Sequence, residues 1–174
     1  DILSSTVRLY SDYGLKRAYF SAFQPVPGTP LDGIAGAPLV REHRLYQADF
    51  LFRYYGFRME ELAYDPGGNL DLATDPKQAY AAQHPERFPL EINRASISEL
   101  LRIPGIGPRS AKKIVLLRRE CSFRSVEDLK RIGVVTKRAL PYVLVQGKQF
   151  SPAITSPVRA VSLYSQPSLW ENTI

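Results

Sequence analysis

The apolar positions of this chain change rhythm several times, and each change predicts an element. Leu45, Ala48, Phe52 and Tyr55 recur at helical spacing and predict a helix over residues 41–55, with Gly56 as its C-cap. Ile2, Val7, Leu9 and Tyr10 mark residues 1–12 as the end of a helix that Gly14 stops. Lys16 to Phe23 is a short apolar run rich in aromatics, bounded by a glycine and a proline, and predicts a buried strand. Helix, strand and helix in this order suggest a piece of an α/β fold. Residues 57–90 read as a helical linker: a turn of helix near Glu60 to Tyr64, a turn cluster at Asp65 to Asn69, and a helix opened by Asp75-Pro76 and stopped by His84-Pro85. Of the 19 aromatic residues, 14 lie before residue 91, so the heavier core is expected there.

From Ser96 the pattern becomes helical in short pieces. Ser96 and Glu99 form a capping box that starts a helix at Ile97. The helix must end by Ile103, because a residue before proline is pushed out of the α region. Gly105 and Gly107 let the backbone turn and come close to another surface, and Pro108 suits the first turn of the next helix. That helix turns Ala111, Ile114 and Val115 toward a core and Arg109, Lys112 and Lys113 away from it. Unpaired hairpin amides beside the positive end of a helix make an anion site. A second, weaker copy follows 28 residues later, with Ser125 and Asp128 as the capping box and Lys130 to Arg138 as the hairpin, running into a helix over residues 136–142. Neither unit would bury its apolar face alone, so the pair is expected to fold as one module.

The run from Leu101 to Arg109, with its Pro-Gly-Ile-Gly hairpin and the basic helix after it, resembles the helix-hairpin-helix motif of DNA repair and recombination proteins. Charge supports the resemblance against a plain tight turn. Residues 91–148 hold 13 Lys and Arg against 5 Asp and Glu, a net +8 in a chain of net +6, so the basicity is local. Duplex DNA is therefore the expected partner, held by its phosphates without sequence preference. The expected contacts are Pro104, Gly105, Ile106, Gly107, Arg109, Lys112 and Lys113 at the first hairpin. Gly133, Val135, Lys137 and Arg138 would serve the second, which lacks the Pro-Gly-x-Gly pattern and is expected mainly to pack against the first.

A further resemblance covers most of residues 1–145. The stretches Tyr19 to Leu31 and Arg41 to Leu51, followed by the hairpins, resemble the C-terminal part of putative DNA modification or repair proteins of the radical S-adenosylmethionine superfamily. The resemblance implies an α/β fragment, the end of a partial β/α barrel over residues 1–56, then the linker 57–90. An all-α tandem helix-hairpin-helix module at 91–148 and a flexible tail at 149–174 would complete a mainly helical chain. It places Pro27, Gly28, Thr29, Arg41 and His43 on an active-site rim to which the hairpins would present DNA. Members hold a [4Fe-4S] cluster on Cys-x3-Cys-x2-Cys and use S-adenosylmethionine. Here Cys121 is the single cysteine, so no cofactor is expected in this chain, and the cluster and S-adenosylmethionine are expected of a full-length parent. The chain starts at Asp1 without Met and reads as a fragment or a processed product.

In the tail, Gln166 to Trp170 resembles the peptides by which bacterial repair proteins dock on the sliding clamp. No apolar run is long enough for a membrane span, and the single cysteine fits a reducing cytoplasm. Two other readings stay open. In a helix-hairpin-helix DNA glycosylase, a lysine near the second helix would be the nucleophile and Asp128 its assistant, although position 109 is Arg and Asp128 has a capping role. In a scaffold, the hairpins would contact protein instead.

Overall fold

A computed structural model describes residues 2–150, with helices α1 Ile2–Tyr13, α2 Leu39–Tyr55, α3 Pro76–Gln83, α4 Ile97–Arg102, α5 Pro108–Leu117, α6 Val126–Arg131 and α7 Thr136–Ala139. The helix boundaries follow the local chemistry. Ser96 Oγ accepts the Glu99 amide while Glu99 Oε2 accepts the Ser96 amide at 2.6 Å, and Ser125 with Asp128 repeats the arrangement at α6. The Ser96 hydroxyl and amide hold the Glu99 carboxyl, and the Arg124 and Ser125 amides the Asp128 carboxyl, below the usual carboxylate range. Asp75 caps α3, whose first residue is Pro76, and α2 ends at Gly56 in the left-handed conformation.

Two cores meet in this chain. One gathers Leu3, Leu45, Ala48, Leu51, Phe57, Leu62, Leu70 and Tyr80 from α1, α2, α3 and the linker. The other, larger core lies inside the hairpin module, around Ile92, Leu100, Ile103, Ile106, Ile114, Leu129, Val143 and Val145. The expectation of a heavier N-terminal core is thus corrected. Aromatic count overestimated it, because Tyr13, Tyr19, Phe50 and Tyr54 stand exposed. Phe88 packs against both cores.

The predicted strand at Lys16 to Phe23 does not form. A strand needs a neighbouring strand to take its amides and carbonyls, and the neighbours here are helices whose side chains take that place. The Ala18 amide donates to Tyr10 Oη at 2.9 Å, the Phe20 amide to Tyr46 Oη at 3.0 Å, and the Ala22 amide to a Glu42 carboxylate oxygen at 2.9 Å. The segment joins no strand, and Tyr19 faces solvent.

Nor is the hairpin module wholly helical. Its ends are tied by a small sheet in which β1 Leu90–Glu91 pairs in parallel with β2 Val143–Val145, and β2 pairs antiparallel with β3 Lys148–Gln149. Strands of two or three residues are too short to show alternation in a sequence. Glu91 fastens the closure: its carboxylate accepts the Gly147 amide at 2.8 Å and the Asn93 amide at 3.1 Å. Burial pushes this carboxyl up, but its hydrogen bonds outweigh burial and hold it low.

Arg102 joins the module to the rest of the chain. Its guanidinium binds both Glu61 oxygens at 2.9 and 2.8 Å and the carbonyls of Tyr55 and Gly56, and lies 4.1 Å from the centre of the Phe57 ring. Burial acts to raise the Glu61 carboxyl, and the Arg102 and Arg58 hydrogen bonds bring it below its ordinary value. The planar fork of arginine suits such a site, where lysine could not reach two carbonyls and a carboxylate together.

Candidate nucleic-acid interface

The first hairpin forms where sequence chemistry requires it. Ile103 takes an extended conformation ahead of Pro104, the Ile106 amide returns to the Ile103 carbonyl at 3.2 Å, and Gly107 caps α5. Ile103, Pro104 and Ile106 are buried, so their side chains anchor the turn and leave contact to the backbone. Among the described residues the amides of Gly105, Gly107, Arg109 and Ser110 have no acceptor. They stand at the N-terminus of a ten-residue helix, where positive dipole and unpaired donors coincide. Arg109, Lys112 and Lys113 are exposed on the same helix.

The second hairpin spends its amides internally. The Gly133 amide donates to the Lys130 carbonyl at 3.0 Å and the Val134 amide to Leu129 at 3.1 Å. The Val135 amide donates to the Gly105 carbonyl at 2.9 Å, so that amide is engaged within the module. Ser110 Oγ completes the interlock by donating to the Gly133 carbonyl at 3.0 Å. The Gly105 backbone has φ +86°, and a Cβ there would lie 2.5 Å from the Val135 carbonyl oxygen and 3.1 Å from the Ala139 nitrogen. Gly105 is thus glycine for close packing between the hairpins as well as for its turn. Arg138 pairs with Asp75, while Lys137 stays exposed.

Three of the module's basic residues therefore serve the fold: Arg102, Arg138 and Arg118, which donates to the carbonyls of Ile92 and Ala95.

The first hairpin borders a cleft of about 1020 Å³ whose lining includes Tyr55, Lys77, Gly107 and Arg109. Lys77 is only 8% exposed, and its Nζ donates to the Ile106 carbonyl at 2.5 Å while lying 4.6 Å from the centre of the Tyr55 ring. Burial pushes the Lys77 ammonium down to about 7, and Arg138 adds to the effect while Asp75 opposes it. The Tyr55 hydroxyl approaches Gly107, 3.4 Å from where a Cβ would stand; burial raises this phenol against the pull of Arg138. Neither Lys77 nor Tyr55 was legible as part of this site, because they come from α3 and α2, 30 and 52 residues before Gly107.

The residues expected on a rim divide. His43 lines the hairpin cleft, whereas Arg41 lines another cavity beside Leu3 and Leu70. Pro27, Gly28 and Thr29 lie in an exposed turn closed by the bond from the Gly28 amide to Asp32 at 3.0 Å. Cys121 is exposed, and one thiol does not fit the needs of an iron–sulfur cluster. The clamp-like peptide at Gln166 to Trp170 falls outside the described residues. Among those residues no helix is long and apolar enough to cross a membrane.

No curated protein and no solved structure matches the chain. Residues 89–141, which contain both hairpins, match the family model described as the helix-hairpin-helix motif, and this supports a DNA-binding module.

Proposed function

We propose that this chain binds DNA without sequence preference, by seating a backbone phosphate against the open amides of the first hairpin. The observation that carries the reading is the asymmetry of the hairpins. The Gly105 and Gly107 turn amides stay unsatisfied beside exposed Arg109, Lys112 and Lys113, while the matching turn amides of the second hairpin, Gly133 and Val135, are engaged within the module. Phosphate contacts of this kind position a protein on DNA and carry no base information.

The proposed setting is the DNA-handling part of a radical S-adenosylmethionine protein that modifies or repairs DNA. Its support is the resemblance of residues 19–31 and 41–51 to that superfamily, together with the place of His43 in the hairpin cleft. Cluster chemistry would belong to a parent protein, and this chain contributes binding and orientation. The sliding clamp is the proposed further partner, through Gln166 to Trp170.

Salt titration of a labelled duplex tests the phosphate reading. Wild-type affinity should fall linearly on a log–log plot, with a slope of about −0.9 for each phosphate contacted. Gly107→Val should keep the fold, since Gly107 has an extended φ of −98°, and weaken duplex binding about tenfold or more by blocking the approach to charge-assisted amides. A folded Gly107→Val protein that binds as before, or a wild type with no affinity for DNA, overturns the reading.

A further inference from the structure

The cleft beside the first hairpin has two chemically different parts. One holds the open amides of Gly107 and Arg109 and the Arg109 side chain. The other is the solvent face of α2, where His43, Gln47, Phe50 and Tyr54 follow one another at helical spacing and are all exposed. Phe50 is 49% and Tyr54 52% exposed, unusual for aromatic rings next to so polar a site. Their rings lie 5.1 Å apart.

These rings are held in place. Arg53 lies over both, 5.4 Å from the centre of Phe50 and 4.9 Å from that of Tyr54. It also donates to Tyr54 Oη at 3.0 Å, and is itself gripped by the buried Asp49 carboxylate at 2.5 to 3.0 Å. A guanidinium takes up part of the ring surface and leaves the rest to the cleft. Rings fixed in this way lose little freedom when something stacks on them. The two carboxylates that share the cleft are already engaged: Glu42 accepts the Ala22 amide, and Asp75 caps α3 and pairs with Arg138. The ligand that matches both parts is anionic at one end and a flat π system at the other.

We infer that the Phe50–Tyr54 ledge stacks an unpaired nucleobase of the DNA strand whose phosphate sits on the first hairpin. This rests on the phosphate reading and narrows it: the preferred ligand is a duplex with a gap or an unpaired nucleotide, rather than an intact duplex. Stacking on aromatic side chains tolerates any base, because every base has a π face. The selection is therefore for exposed bases and not for sequence. A paired base inside an intact duplex cannot reach the ledge without leaving its stack.

The test compares the full chain on an intact 20-base-pair duplex and on the same duplex with a two-nucleotide gap holding 2-aminopurine. Wild type should bind the gapped DNA about tenfold more tightly or better and change the 2-aminopurine emission on binding. The double variant Phe50→Ala, Tyr54→Ala should lose that preference and the emission change while keeping duplex affinity; both side chains are half exposed, and circular dichroism verifies the fold. Salt-sensitive duplex binding without preference or emission change in wild type overturns the ledge and leaves the phosphate reading standing. Equal loss of gapped and intact binding in the double variant also overturns it, since the rings would then support the hairpin generally. No binding to either DNA overturns both readings.

Discussion

The two hairpins arise from the same local grammar, a capped short helix, a turn with glycine at positive φ and a following helix, yet they have different work. In the first, Pro104 and Pro108 bracket a turn whose Gly105 and Gly107 amides have no acceptor among the described residues, while its carbonyls are spent inward, Gly105 on Val135 and Ile106 on Lys77. In the second, the Gly133, Val134 and Val135 amides are spent and the Gly133 carbonyl receives Ser110. One hairpin is an acceptor toward the protein and a donor toward solvent; the other is its internal complement. The pair thus combines one turn with unpaired amides and one turn whose amides help to hold the module together.

The largest effect should follow from breaking the interlock. Gly105→Ala places a Cβ against the Val135 carbonyl and asks a side chain to hold φ +86°. Left-handed strain of about 1–2 kcal/mol and a backbone clash of similar or greater size sum to roughly 3 kcal/mol. Urea unfolding should show that loss, with none comparable in Gly107→Val. Equal stability of Gly105→Ala and wild type would mean that the second hairpin does not hold the first.

A smaller effect concerns Lys77, the side chain that supports the first hairpin where main-chain bonds support the second. Its folded pKa is near 7 and its unfolded value near 10.5, so between these limits the unfolded chain holds a proton that the folded chain has released. Stability then rises with pH through that window, by up to about 1.4 kcal/mol per unit for one proton. The wild type should accordingly be more stable at pH 9 than at pH 7 in urea titrations. Lys77→Met should remove the slope and be the more stable protein at pH 7 if the buried charge outweighs the lost bond to Ile106. A wild type with no slope would show that Lys77 keeps its proton against the Ile106 carbonyl.

What could be read from residues alone divides along the same line. Both capping boxes, the proline stops, the ends of α2 and α3 and the exposed face of α5 were legible, because each depends on neighbours within a few positions. The Lys16 to Phe23 segment was misread, since whether an apolar run pairs as a strand depends on what lies beside it, and here Tyr10, Glu42 and Tyr46 do. The three short strands gave too little alternation to detect. At the site, local signals found the hairpins and their basic residues. They could not show that Val135 is committed to Gly105, that Arg102 and Arg138 are tied to Glu61 and Asp75, or that Tyr55 and Lys77 close on the first hairpin. Such pairings join residues 29 or more apart and exist only once the cores have formed.

The finest distinction between the hairpins lies in their exposed cations, Arg109 at the start of α5 and Lys137 at the start of α7. Both raise the positive potential that attracts DNA, so replacing either with Ala should weaken binding at low salt. Arg109 stands beside the unpaired turn amides of Gly105 and Gly107. A residue in contact with a phosphate contributes to counterion release, and its loss should make the slope of log affinity against log salt shallower by about 0.9. Beside Lys137 the matching turn amides are spent, Gly133 on Lys130 and Val135 on Gly105, and what is left is the two amides at the start of the four-residue α7. Lys137→Ala should therefore shift the whole salt titration slightly, by about twofold or less in affinity, and leave its slope unchanged. If the Lys137 variant instead loses as much slope as the Arg109 variant, the second hairpin also holds a phosphate. Its side chain and the amides at the start of α7 would then be the means, since its turn amides are engaged.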